Sequence, residues 1–181
     1  MEPPDSSSAP DDAAARTEAT VRAWVAATAV DGVEVVDCDP AHADTAAFCE
    51  AYGYALEDSA NAILVVGKAD PPLHAVCVVL ATTKLDVNKA VRRRLGTRKA
   101  SFAPAAETTA ITGMAIGGVT PIGLPPGLPL WVDARVMDRE RIVVGGGSRA
   151  AKVVGPPSLL LLLDGAEVVE DLAVEAAPPA P

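Results

Sequence analysis

The sequence predicts an α+β fold, in which a mixed β-sheet or β-barrel is flanked by helices. Two apolar runs, Ala62–Val66 and His74–Ala81, are typical of buried strands joined by a turn. Helical segments are interspersed irregularly with the strands, which disfavours a doubly wound parallel sheet. The chain has 181 residues, 50% of them hydrophobic, so it can build the core of one domain.

Before the two central strands, the spacing of apolar residues predicts two helices and one extended segment. The helices are expected over Thr17–Thr28 and over Ala43–Tyr52, and Gly53 should end the second. Residues Val33–Asp37 between them are expected to be extended. Residues 1–16 are rich in Pro, Ser, Asp and Ala, so we expect an acidic disordered tail there.

After the central strands, a helix over Asp86–Leu95 is expected to end at Gly96, and Pro104 begins a brief helix. Residues 113–129 are crowded with Gly and Pro but also apolar, which predicts a packed, functional loop. Residues 166–181 are expected to form a flexible acidic and Pro-rich tail, so the predicted domain spans 17–165. The remaining predicted elements are strands at Leu130–Asp133 and Arg141–Gly147 and a short helix at Pro157–Leu163.

The formal charge of −9 is confined to the two ends of the chain. Residues 1–18 have a net charge of −4 and residues 164–181 of −5, so the part between them is neutral. Within that part a basic segment has a net charge of +6 in sixteen residues, and it fits either phosphate binding on RNA or a solvated helix face. Its basic residues are Lys84, Lys89, Arg92, Arg93, Arg94, Arg98 and Lys99.

The composition and the N-terminal sequence also indicate the cellular compartment in which the protein is expected. No apolar run approaches the roughly 20 residues of a membrane span, so we expect no membrane association. The N-terminus lacks the basic and apolar regions of a secretory signal. The three cysteines have no C-x-x-C spacing, which indicates a reducing cytoplasm and suggests no metal site.

Two glycine-rich motifs are candidate ligand sites. In Gly117-Gly118-Val119-Thr120-Pro121 the glycine N–H groups could hold a carbonyl oxygen or a developing oxyanion, or the motif could be an ordinary turn. The run Gly145-Gly146-Gly147 could cradle a phosphate, but it lacks P-loop spacing and fits a hairpin better.

Single polar residues give a second set of candidates. Asp133 ends a predicted strand, where its carboxylate either faces a pocket or caps the following helix. Asn61 precedes a buried strand and either points its amide inward or ends a turn. His42 and His74 are better explained by structural roles, and no Ser/His/Asp or Cys/His set can be assembled.

Taken in order, several motifs resemble the YbaK/EbsC family of aminoacyl-tRNA deacylases, a domain also inserted in bacterial prolyl-tRNA synthetases. The resemblance spans about residues 20–163. The motifs include Phe48-Cys-Glu-Ala-Tyr-Gly53, Ala60-Asn-Ala-Ile-Leu-Val65, Leu85-Asp-Val-Asn-Lys89, Gly117-Gly118-Val-Thr-Pro121, Asp133 and Val143-Val-Gly-Gly-Gly147.

The resemblance implies an α+β domain that removes small amino acids such as alanine or cysteine from proline tRNA, in trans and without a cofactor. It implies catalytic roles for Asn61, Gly117, Gly118 and Asp133, which would position water and polarise the ester. Substrate contacts would come from Thr120, Pro121, Gly145 and Gly146, and the basic segment would bind the acceptor end of the tRNA.

One departure concerns Asn61, since family members often have a lysine at this position. An asparagine still donates a hydrogen bond but brings no charge. Lys68 lies beyond the strand and is not expected to replace that lysine. Three hypotheses follow, which are an editing deacylase, a tRNA-binding module that has lost hydrolysis, and a scaffold whose basic helix is only solvated.

Overall fold

The structure is a computed structural model that describes residues 8–176. The α-helices in this part of the chain are α1 (Ser8–Ala27), α2 (Thr45–Tyr52), α3 (Arg92–Arg94), α4 (Ala105–Thr112) and α5 (Ala134–Met137). The strands are β1 (Glu34–Asp37), β2 (Ala60–Gly67), β3 (Leu73–Leu80), β4 (Thr83–Leu85), β5 (Ala100–Phe102), β6 (Leu130–Asp133), β7 (Ile142–Gly145), β8 (Ala151–Gly155), β9 (Ala166–Val169) and β10 (Ala173–Glu175).

A five-stranded mixed sheet forms the centre, in the order β5-β2-β3-β6-β9. Strands β5, β2 and β3 are antiparallel neighbours, whereas β3, β6 and β9 run parallel. A second, antiparallel sheet has the order β1-β8-β7, and β4 pairs with β10. A bridge between Ser59 and Val143 joins the first sheet to the second. The predicted α+β class with a mixed sheet is confirmed.

Strand β3 explains why the central strands read as continuous apolar runs. Its side chains alternate between two apolar clusters, because successive residues of a strand point to opposite faces. Val76 and Val78 pack with Leu130 on one face, whereas Ala75 and Cys77 pack on the other. A strand covered on both faces needs apolar residues at every position.

The predicted helices form, with local differences. Gly53 ends α2 in the left-handed conformation, as expected from its position. The basic helix begins with a π-helical turn over Val87–Val91, where the Asp86 carboxylate accepts from the backbone N–H of Lys89, and it continues as α3. The predicted C-terminal helix is a 3-10 helix over Pro157–Leu162. No helix among residues 8–176 is both long and apolar enough to cross a membrane.

The structure differs from expectation at both ends of the domain. Helix α1 begins at Ser8 rather than Thr17, because Val21 and Trp24 anchor it on the core and an alanine-rich segment favours helix before them. Residues 166–175, expected in the flexible tail, contribute β9 to the central sheet and β10 as the partner of β4. The remainder of both expected tails, residues 1–7 and 177–181, lies outside the described residues.

Candidate active site

A cleft of about 360 Å3 opens between β2, the start of α2, the Gly- and Pro-rich loop and the hairpin of β7 and β8. It contains several of the residues predicted from sequence, together with others that the sequence did not indicate. Its lining residues are Ala43, Asp44, Thr45, Ala60, Asn61, Ala62, Ile63, Leu64, Phe102, Ala103, Thr108, Ile116, Gly117, Val119, Gly145 and Lys152.

Asn61 lies near the start of β2 and lines this cleft. Its Oδ1 atom accepts a hydrogen bond of 3.1 Å from the Thr45 hydroxyl in the first turn of α2. That bond fixes the orientation of the amide, and the amide NH2 has no partner among the side chains and backbone that the structure describes. Asn61 therefore presents two N–H donors that a ligand in the cleft could use.

Lys152 on β8 was not singled out from the sequence, yet it lines the same cleft and is only 8% exposed. Its Nζ atom donates to the backbone oxygen of Ala43 at 2.7 Å and lies 5.8 Å from the centre of the Phe48 ring. Burial is the main cause that lowers the pKa of Lys152, and the neighbouring Arg149 acts in the same direction. A lysine with this environment in a cleft is a functional candidate.

The two glycine motifs of the sequence pack against each other beside the cleft. Gly145 sits under the loop so closely that a Cβ there would lie 2.1 Å from the backbone oxygen of Val119. Gly118 accepts a hydrogen bond of 3.1 Å from the N–H of Gly147. Gly117 lines the cleft with a φ of +92°, a conformation that favours glycine. Only backbone can approach this closely, which explains the glycines in both motifs.

Some of the predicted site residues stabilise this loop and the neighbouring hairpin without lining the cleft. The N–H of Gly118 donates to the Ala115 oxygen at 3.0 Å, so it is not free for a ligand. Thr120 is fully buried, and its hydroxyl accepts from the N–H of Ile122. Pro121 is also buried, and the N–H of Gly146 donates to Ala151 within the hairpin. None of these four lines the cleft in the described part of the chain.

Asp133 does not line the cleft either, although the sequence made it a catalytic candidate. It is 1% exposed at the end of β6, where its Oδ1 atom accepts from the N–H of Arg135 at 3.0 Å and caps α5. Its Oδ2 atom accepts from the N–H of Ala173 at 2.7 Å. The capping alternative is what the structure shows, and the carboxylate also ties β10 to the central sheet.

The basic segment lies on the surface, and all seven of its basic residues are exposed. Arg94 is engaged, since it pairs with Glu167 at 2.6 Å and stacks over Trp131. Arg92 donates to the backbone oxygen of Asn88. The other five make no ion pair with any residue that the structure describes; they are Lys84, Lys89, Arg93, Arg98 and Lys99.

Strand β5 connects the basic segment to the cleft. It begins directly after Lys99, and its last residue, Phe102, lines the cleft while remaining 53% exposed. Ile116 from the loop is 58% exposed at the same cleft. Two large apolar side chains thus line the cleft and remain exposed, and Phe102 lies about 10 Å along an extended strand from Lys99.

Sequence reasoning missed Lys152, Phe102 and Ile116 for a common reason. None belongs to a recognisable motif, and their importance depends on which segments fold next to each other. The indication available in the sequence was that Lys152 lies in an otherwise apolar run with Ala151, Val153 and Val154, which predicts that its charge is enclosed. In the described residues, no group of three or more His, Cys, Asp or Glu side chains is placed to hold a metal ion.

Comparison with known proteins agrees with this architecture. A family model described as the aminoacyl-tRNA editing domain matches residues 39–162, more than half of the chain. The hypothetical protein APE2540 has the same fold, with 23% identity and a TM-score of 0.74 over 85% of this chain and 99% of that one. A candidate trans-editing enzyme for prolyl tRNA synthetase is 24% identical, with a TM-score of 0.73 over 91% and 98% of the two chains.

At these identities the two solved structures show only that the fold is shared. The family model, by contrast, matches the amino-acid sequence of the chain itself and therefore shows its family. The match covers α2, the central hairpin, the basic segment, the loop and the hairpin of β7 and β8, so it includes every element that lines the cleft. The resemblance inferred from the sequence is confirmed. The chain belongs to the aminoacyl-tRNA editing domain family.

Proposed function

We propose that the chain is a trans-editing hydrolase that deacylates mischarged aminoacyl-tRNA, with alanine or cysteine on proline tRNA as the expected substrates. The observation that supports this most directly is the shared cleft of Asn61 and the Gly117–Val119 loop. The amide donors of Asn61, which have no partner among the described residues, and the closely packed Gly117–Val119 loop line the same cleft. Membership of the editing domain family supports the same reaction class.

The size and lining of the cleft favour a small amino acid. Its volume of about 360 Å3 is at the lower end for small-molecule sites. Ala60, Ala62 and Ala103 contribute small apolar surfaces to it. A ribose with a short aminoacyl group fits these dimensions better than one that bears a large side chain.

The reaction is an ester hydrolysis with water as the nucleophile. Water adds to the ester carbonyl carbon, and the electron pair of the C=O bond moves to oxygen. The tetrahedral intermediate then breaks its bond to the ribose oxygen, which takes one proton from the attacking water. The amino acid leaves as a carboxylate after losing the other proton to solvent.

Among the described lining residues there is no Ser, Cys or His that could act as a nucleophile. Of the two lining threonines, Thr45 uses its hydroxyl to donate to Asn61, and Thr108 is only 2% exposed. Water positioned by hydrogen bonds therefore fits the site better than a covalent intermediate. The Asn61 NH2 is the donor best placed by its fixed orientation to hold the oxygen that becomes negative.

The nucleic acid would approach along β5. Phosphates of the acceptor end would contact the unpaired basic residues, of which Lys99 immediately precedes the strand. Phe102 and Ile116 offer exposed apolar surface at the cleft for the terminal base. We expect this reaction in the cytoplasm, where tRNAs are charged.

The competing function is a binding module without turnover. It is favoured by Asn61 alone, because a neutral amide stabilises a developing negative charge less than an ammonium group does. Such a module would bind tRNA through the same basic segment but would release no amino acid.

The test measures deacylation of a panel of mischarged tRNAs, led by alanyl- and cysteinyl-tRNA for proline, by the native protein and by Asn61→Lys. Release by the native protein above the spontaneous rate supports the proposal. Release by the variant alone, with tRNA bound by both proteins, favours the binding module. A free aminoacyl ester serves as the comparison substrate, since a tRNA-dependent enzyme should hydrolyse it far more slowly.

A further inference from the structure

We propose that Lys152 supplies, from β8, the positively charged donor that holds the ester carbonyl oxygen in the cleft, beside the neutral amide of Asn61. This inference rests on the proposed function and assigns its electrostatic component to one residue. The observations are the burial of Lys152, the neutrality of its protein partner and its position on the cleft.

A buried ammonium group without a carboxylate is unfavourable for folding. Lys152 is 8% exposed, and no Asp or Glu among residues 12–176 lies within ion-pair distance of it. Asp44, the residue just before α2, pairs with Arg149 at 3.5 Å instead. Because a hydrocarbon side chain would fill the site at lower cost, the retained charge calls for a ligand that uses it.

The geometry leaves donors available to that ligand. An ammonium group has three N–H donors, and the bond to Ala43 uses one of them. The face of the Phe48 ring, 5.8 Å away, compensates part of the charge without consuming a hydrogen bond. Two donors therefore remain for an acceptor in the cleft.

The sheet register places Lys152 at the wall of the cleft that β7 and β8 form. Lys152 is paired across the sheet with Gly145, which also lines the cleft. Since Gly145 has no side chain, nothing on that neighbouring position separates the lysine from the cleft. Lys152 and Asn61 also line a small hollow of about 20 Å3 beside the main cleft, enough to hold one water molecule.

The chemical class of ligand follows from the donors. Both Asn61 and Lys152 contribute N–H groups here, so the complementary group is an oxygen acceptor. In an aminoacyl ester that acceptor is the carbonyl oxygen, which gains negative charge when water adds to the carbon. A preorganised ammonium donor stabilises this charge more than it stabilises the neutral ester, which lowers the barrier.

The test compares Lys152→Gln with the native protein, because glutamine keeps N–H donors at this position but has no charge. Lys68→Gln, at an exposed lysine outside the cleft, is the matched control. The first readout is the single-turnover deacylation rate, for which we expect a loss of about 100-fold in Lys152→Gln. The second is the affinity for a non-hydrolysable adenosine with alanine in amide linkage at the 3′ position, which should fall about tenfold.

A third readout follows the Lys152 Nζ group by NMR, and its resonance should shift when the amide analogue binds. Equal rates and equal analogue affinities in the native protein and Lys152→Gln would overturn the inference, while the proposed hydrolase function would stand. Absence of turnover in the native protein, with analogue binding that still depends on Lys152, would overturn hydrolysis and keep the carbonyl contact. Absence of both would overturn both proposals.

Discussion

Lys152 and Ala43 are joined by a hydrogen bond of 2.7 Å that ties β8 to the residue two positions before the start of α2. Thr45, at that start, donates in turn to Asn61 on β2. One short segment of chain therefore holds both proposed donors of the cleft, Asn61 and Lys152. The arrangement makes the site depend on the contact between two sheets and one helix, and it leads to predictions for stability as well as activity.

The first prediction concerns the pH dependence of stability. Since burial lowers the folded-state pKa of Lys152 below the usual lysine value of 10.5, the folded protein loses this proton before the unfolded chain does. Stability of the native protein relative to Lys152→Met should therefore rise with pH between the lowered value and 10.5. Urea unfolding of both proteins at several pH values measures this difference.

Four titratable or charged groups face Lys152 and modulate this effect. Cys38, Asp44 and Cys49 favour the charged lysine, whereas Arg149 opposes it. The Cys38 pKa is itself raised, mainly by burial, which gives a slope of opposite sign above its usual value. Comparison with Lys152→Met reduces that contribution, and a difference that is flat with pH would contradict the assigned burial of charge.

The second prediction concerns Gly145. An alanine there would place its Cβ 2.1 Å from the Val119 oxygen, so the loop must move away from β7. We expect a loss of about 3 kcal/mol in the free energy of unfolding, together with reduced turnover. Gly127→Ala is the control, because its φ of +79° strains the backbone but no atom lies within 4 Å. Similar losses in the two variants would argue against the close packing.

The third prediction concerns Gly117. An added Cβ would meet the Arg149 guanidinium at 2.4 Å, and the φ of +92° would be strained. Gly117→Ala should reduce turnover about tenfold, because Arg149 and this wall of the cleft would have to shift relative to each other. Gly113→Ala has a similar φ of +73° with open space around it, so it isolates backbone strain from crowding. A Gly117→Ala rate equal to that of Gly113→Ala would remove Gly117 from the site.

The fourth prediction separates the two roles considered for Asp133. Asp133→Ala leaves the N–H groups of Arg135 and Ala173 without their acceptor, which should cost about 2–4 kcal/mol of stability. The turnover rate at a temperature where the variant is folded should remain near that of the native protein. A large loss of kcat without a fall in Tm would show that the carboxylate acts in the reaction after all.

The fifth prediction concerns tRNA binding by the basic segment. Replacement of Lys89, Arg93 and Arg98 by alanine should weaken binding and lower the slope of log K against log salt by roughly 0.7–0.9 per lost phosphate contact. Arg94 is left in place because its pairing with Glu167 contributes to the fold. Arg16→Ala, an exposed charge on α1, is the control. Unchanged affinity and slope would favour a merely solvated surface.

The central architecture could be predicted because it depends on patterns within short segments. The runs that became β2 and β3 are apolar at nearly every position, and Gly53 and Gly96 end helices through their own backbone preferences. Strands β9 and β10 were not predicted, because they have only four and three residues and lie in a segment of the chain that is acidic overall. Their pairing comes from neighbours that are distant in sequence.

The site could be predicted only in part, for a similar reason. Asn61 and Gly117 were found because they belong to ordered motifs, whereas Lys152 and Phe102 reach the cleft through sheet register and strand order. Asp133 shows the converse error, since a carboxylate at a strand end satisfies either a ligand or the local backbone. The partners that decide between these, Arg135 and Ala173, are set by the tertiary fold.

The most direct test of the account is the single-turnover release of alanine from proline tRNA that has been mischarged with alanine, with the native protein in excess. The account predicts release well above the spontaneous rate, and release about 100-fold slower when Lys152→Gln replaces the native protein at the same occupancy of tRNA. Release at the spontaneous rate by the native protein, for this substrate and for cysteinyl-tRNA, while tRNA is bound, would contradict it.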